Sequence, residues 1–103
     1  MALKYTAPKS LLSIPLTCRE AIQELWKGRS WVMVSDEETN EAIRLNRTPD
    51  NNFLLMAPMM MVEFADVEMA MNVAEQVLRG QLTLEQVREL YPPTIVREAS
   101  PPT

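Results

Sequence analysis

The sequence predicts an α+β fold in one small domain. A short sheet, with strands at about 30–35 and 53–64, is packed by helices at about 18–27, 36–46, 67–79 and 84–91. Three observations carry this. Helix-start signatures recur as "TCRE", "SDEE" and "TLEQ", each pairing a hydroxyl residue with a Glu or Gln three positions on. The chain has only two glycines, and each follows a stretch of helical periodicity that it can end. Two runs rich in β-branched, aromatic and apolar residues, "SWVMVS" and "FLLMAPMMMVEFA", have strand character. At 103 residues the chain supports a single core, and 47% hydrophobic with 23% charged residues is the balance of a folded domain, not of a disordered one.

Residues 1–9 are expected to form an N-terminal arm and 10–92 the domain. The first helix begins at Thr17, whose hydroxyl is placed to cap the Glu20 N–H while Glu20 reaches back. Cys18, Ala21, Ile22, Leu25 and Trp26 then form one apolar stripe, and Gly28 ends the helix. The run 30–35 follows as a buried strand. Ser35 opens the second signature, with Asp36, Glu37 and Glu38 in a first turn where the helix dipole favours acids. The helix predicted over 36–46 has only Ala42, Ile43 and Leu45 as substantial apolar residues, and "RTPDNN" after it is a turn by composition.

The methionine-rich stretch admits two readings. A helix starting at Pro58 would carry Glu63 and Asp66 on the same side as Val67, Ala70, Met71 and Ala74, burying two carboxylates. A strand over 59–64 avoids that cost and frees Asp66 to cap a helix 67–79, ended by Gly80. In the strand, Met60, Val62 and Phe64 face one way and Met59, Met61 and Glu63 the other. Thr83 and Gln86 then cap a last helix, 84–91, that stops before Pro92 and Pro93. Four of the eight prolines fall in 92–103, so 93–103 is expected to be an extended tail.

Several function classes are excluded or disfavoured by composition. With no histidine, Ser-His-Asp and Cys-His catalysis and His-ligated metal sites are impossible. Cys18 alone builds no zinc or iron–sulfur site, and its place in the apolar stripe makes it a packing residue. Both glycines are accounted for as helix stops, which leaves no phosphate-cradling loop. No enzyme activity, metal or cofactor is expected. A net charge of -4 argues against direct nucleic-acid binding, which needs a basic surface. The uncharged run from Phe53 to Val62 is about half the length of a bilayer-spanning helix, and Lys4 and Lys9 interrupt the N-terminus, so a cytoplasmic protein is expected.

The segment "LTCREAIQELWKGRSW" resembles the opening of small phage proteins that sequester Thoeris signalling nucleotides. The matching positions are Leu16, Thr17, Glu20, Ala21, Leu25, Lys27 and Gly28, about sixteen residues in span. The family's next feature, an arginine and then Gly-Trp, is reduced here to Arg29 and Trp31 with Ser30 between them, and its members lack the two C-terminal helices. The resemblance implies a binder that sequesters a small anionic nucleotide, and no site residue is carried over from it.

Three functional readings follow. The first is a non-catalytic interaction module, oligomeric, such as a phage or mobile element uses to block a host protein. Its interface would contain Met59, Met61 and Glu63, because methionine suits surfaces that adapt to partners. The second is an anionic-ligand binder or sponge using Arg29, Arg44 or Arg47. The third is a structural subunit of a virion or other assembly.

Overall fold

A computed structural model describes residues 2–9, 12–28, 31–58 and 60–90. The fold is α+β, with six antiparallel-paired strands and three helices among the described residues. The elements run β1 (Leu3–Lys9), β2 (Leu12–Leu16), α1 (Cys18–Lys27), β3 (Val32–Asp36), β4 (Ala42–Arg47), β5 (Phe53–Ala57), β6 (Met60–Phe64), α2 (Val67–Leu78) and α3 (Leu84–Leu90). Strand order is β2-β1-β3-β4-β5-β6. β1 and β2 form a hairpin, α1 carries the chain across β1, and β3 pairs on its far side. From β3 to β6 the sheet is a simple meander.

Helices α1 and α2 lie on one face of the sheet, α1 over β1 to β4 and α2 over β3 to β6. Alternate strand residues point to them: Val32 and Val34, Ile43 and Leu45, Phe53 and Leu55, Val62 and Phe64. Against these pack Ala21 and Leu25 of α1, Ala70, Met71, Val73, Ala74 and Leu78 of α2, and Val87 of α3.

The helix ends form as their sequence signatures predict. The Thr17 side chain accepts from the Glu20 N–H at 3.1 Å, and Glu20 accepts from the Thr17 N–H at 2.9 Å. Thr83 and Gln86 repeat the arrangement at α3, and Asp66 caps α2 by accepting from the Glu68 N–H. Gly28 ends α1 with a left-handed φ of 70°.

Three expectations are corrected. Residues 36–46 are not a helix but the end of β3, a turn and most of β4. The acidic and hydroxyl side chains that suggested a cap bond their local backbone instead: Asp36 Oδ1 accepts from the Glu38 N–H and Thr39 Oγ1 from the Glu41 N–H. Asn40, at φ 66°, then reverses the chain, and Ala42–Arg47 alternates apolar and polar residues with the period of a strand. Residues 3–9 are not an arm, because β1 pairs with both β2 and β3 inside the sheet. Pro8 is tolerated there since it lies beyond the pairing with β3, and Pro15 sits on the edge strand β2. The strand expected over 53–64 is a hairpin, β5 and β6 turning at Pro58. The C-terminal tail, 93–103, lies outside the described residues.

The two glycines give a graded test. A Cβ at Gly28 would sit 3.1 Å from Arg47 Cδ, whereas one at Gly80 meets nothing within 4 Å, and both residues have positive φ. Gly80→Ala should cost about 1–2 kcal/mol for the left-handed backbone alone. Gly28→Ala should cost more in urea unfolding, and equal losses would mean that Arg47 yields freely.

Candidate functional site

The face of the sheet turned away from α1 and α2 is covered by no element among the described residues. Its composition follows from the pairing register. Thr6, Met33, Arg44, Met56 and Met61 stand side by side across β1, β3, β4, β5 and β6. One step along the strands, Asn46, Leu54 and Glu63 form a second row. None of these side chains is buried, and Met61 is 46% exposed, the most open position of β6.

Arg44 stands among the apolar members of this face. Its guanidinium carbon is 5.9 Å from the centre of the Trp31 ring, and Nη2 donates to Met56 Sδ at 3.5 Å. Ring face and thioether are weak partners for a full positive charge. Among the described residues, Arg44 has no carboxylate within ion-pair distance. On β6, Glu63 accepts from Asn52 Nδ2 at 2.6 Å, which fixes one of its oxygens. The face therefore offers flexible thioethers, an indole, a cation with no carboxylate partner among the described residues and a positioned anion.

Sequence-predicted site residues divide as follows. Met61 and Glu63 share the uncovered side of β6, as expected, and Arg44 joins them two strands away. Met59 and Arg29 lie outside the described residues. Arg47 does not belong to the same site as Arg44. Three positions further along one strand, it points to the helix side. There Nη1 donates to the Trp26 carbonyl at the end of α1, and Nη2 donates to Asn51 Oδ1 at 3.1 Å. Its guanidinium carbon is 5.2 Å from the Trp26 ring centre and 6.0 Å from that of Phe53. Arg47 thus fastens α1 to the β4–β5 turn. Trp31, Met33, Leu54 and Met56 were missed as surface residues, although the alternation within 32–36 and 53–57 contained the signal.

A second polar cluster joins β1, α1 and α2. Tyr5 Oη and Cys18 Sγ both donate to Glu75 Oε2, the thiol at 3.4 Å. Burial first, and then the Glu75 carboxylate, push the Tyr5 hydroxyl and the Cys18 thiol above their ordinary values. A thiol held protonated is a poor nucleophile, and the shared acceptor ties β1, α1 and α2 together.

An apolar cleft of about 530 Å³ opens between the β3–β4 turn and the α2–α3 link, with Ile43, Ala57, Val77, Leu78 and Leu84 in its wall and Glu41 among its polar lining residues. No group of His, Cys, Asp and Glu side chains with metal-binding geometry occurs among the described residues, and no helix there is long and apolar enough to cross a membrane.

No protein-family model, curated protein or solved structure matches the chain, and a functional reading rests on the chemistry of the site.

Arg47→Ala should destabilise the protein by about 1–2 kcal/mol in urea unfolding, through lost packing and an unsatisfied α1 terminus. A neutral result would remove the anchoring role. The Tyr5–Cys18–Glu75 cluster gives a pH test. Both acids bind their protons more tightly in the folded state, so their contribution is complete below about pH 8.5 and is lost as pH rises through the folded values. Between about pH 8 and pH 10 the melting temperature should fall more steeply in the wild type than in a Tyr5→Phe, Cys18→Ala double variant. Equal slopes would acquit the cluster.

Proposed function

We propose that this chain is a non-catalytic interaction module that binds a protein surface on the uncovered face of its sheet. The observation that carries the reading is Arg44, held against Trp31 and Met56 within an apolar row and lacking a carboxylate among the described residues. A solvated sheet face ordinarily alternates to polar side chains. This one presents Met33, Leu54, Met56 and Met61, and such contiguous apolar surface marks a site where something docks. The partner surface would be apolar and carry a carboxylate that meets Arg44. The absence of histidine and the protonated Cys18 thiol support a non-catalytic role, and a lone thiol suits a reducing cytoplasm.

A second reading has its own support. Arg44 beside Trp31 is the combination that holds a planar anion, such as a nucleotide, by charge and stacking. Among the described candidate arginines, Arg44 alone is placed for it, since Arg47 is engaged on the opposite side.

Native mass spectrometry of gently purified protein separates the two. The interaction reading expects a protein complex that Met61→Glu dissociates while the melting temperature changes by no more than a few degrees. An unfolded Met61→Glu variant would return this methionine to the core and end the reading. The nucleotide reading expects added mass of a few hundred daltons per site, together with thermal stabilisation by nucleotide that Arg44→Ala abolishes.

A further inference from the structure

We propose that Met56 and Met61 form a reversible oxidation site on the uncovered face, with Arg44 placed to assist oxygen transfer to Met56 and to bind the sulfoxide that results. The site stands on its own geometry. Its consequence for binding rests on the reading of this face as a docking surface.

The register gathers the reacting groups. Met33, Arg44, Met56 and Met61 are successive cross-strand partners on β3, β4, β5 and β6. Neighbours in such a row have Cα atoms about 5 Å apart. Met61 is 46% exposed and Met56 is partly exposed, whereas Met60 and Met71 are buried in the core. A thioether within reach of solvent is open to two-electron oxidants. The one cysteine competes poorly: Cys18 is partly buried, bonded to Glu75 and shifted towards its protonated form.

The oxidant is a hydroperoxide. A sulfur lone pair attacks one peroxide oxygen, the O–O bond breaks, and the other oxygen leaves with the electron pair and takes a proton from solvent. Sulfur loses two electrons, and the peroxide is reduced to water or an alcohol. Negative charge therefore grows on the departing oxygen, next to the sulfur. Arg44 Nη2 donates to Met56 Sδ at 3.5 Å, which occupies one sulfur lone pair and leaves the other for the peroxide. The remaining N–H donors of the guanidinium are at hand for the departing oxygen. After transfer, the sulfoxide oxygen is a far better acceptor than the thioether it replaces. Arg44, with no carboxylate at ion-pair distance among the described residues, is the donor beside it. The apolar row becomes polar and its cation is engaged. Because the row points away from the core, the fold survives the change, and sulfoxide reductases can reverse it.

Dilute hydrogen peroxide with peptide mass mapping tests this, and Met69 on α2, 44% exposed, is the internal reference. Met61 should gain one oxygen at about the rate of Met69, and Met56 should keep pace although it is less exposed. Arg44→Ala opens Met56 further to solvent, yet should slow its oxidation about two- to tenfold relative to Met69, through loss of one hydrogen bond in the transition state. Arg44→Lys, which keeps the charge, should lose less. The oxidised chain should melt within a few degrees of the untreated one, and reductase treatment should restore its mass. Faster oxidation of Met56 in Arg44→Ala would mean that exposure alone governs the rate, and would overturn the role of Arg44. Unfolding on oxidation of Met56 and Met61 would overturn the reversible site. Oxidation should also release the protein complex seen by native mass spectrometry. A complex that survives oxidation but is lost in Met61→Glu would overturn the effect on binding and leave the binding surface standing. One that survives both treatments would end the binding reading, while the mapping still decides the oxidation site.

Discussion

The inward side chains of β3 to β6 press onto α1 and α2, and this one-sided burial sets the terms for the rest of the molecule. Each of those strands gives at least two side chains to the core, from Val32 and Val34 to Val62 and Phe64. The strand period of two then commits the intervening residues to the other side, whatever their chemistry. Among the described residues, helices pack on only one face. The second face keeps Met33, Leu54, Met56 and Met61 at least partly within reach of solvent among the described residues.

The same rule separates two arginines of one strand. Arg47 falls on the helix side, where Trp26, Phe53 and Asn51 surround it and the last carbonyls of α1 need a donor. Its charge is spent on holding α1 in place. Arg44 falls on the other side, against a ring and a sulfur and with no carboxylate at ion-pair distance among the described residues. Composition does not distinguish the two side chains. Register does, by setting the two side chains on opposite faces of the sheet. Glu75 shows a related economy on α2: it lies at the border of the apolar stripe and accepts hydrogen bonds from Tyr5 and Cys18, so that β1, α1 and α2 share one acceptor.

What the amino-acid sequence determined by itself was local. Thr17 with Glu20, Thr83 with Gln86, and Asp66 start helices because their side chains bond backbone donors only two or three residues away. Gly28 ends α1 because its left-handed conformation suits glycine. The inward set Met60, Val62 and Phe64 followed from the same kind of argument, as did the outward pair Met61 and Glu63. Local chemistry also misled where it had two outlets. At 35–41 the polar residues that would cap a helix close a hairpin instead, and only pairing of β4 with β3 and β5 decides between them. The tertiary structure alone decided that Leu3–Lys9 enters the sheet, because a strand's hydrogen bonds come from residues far away in the chain. It alone gathered Trp31, Met33, Arg44, Met56 and Met61 onto one surface. Such a row is a property of register between strands, and no single strand contains it.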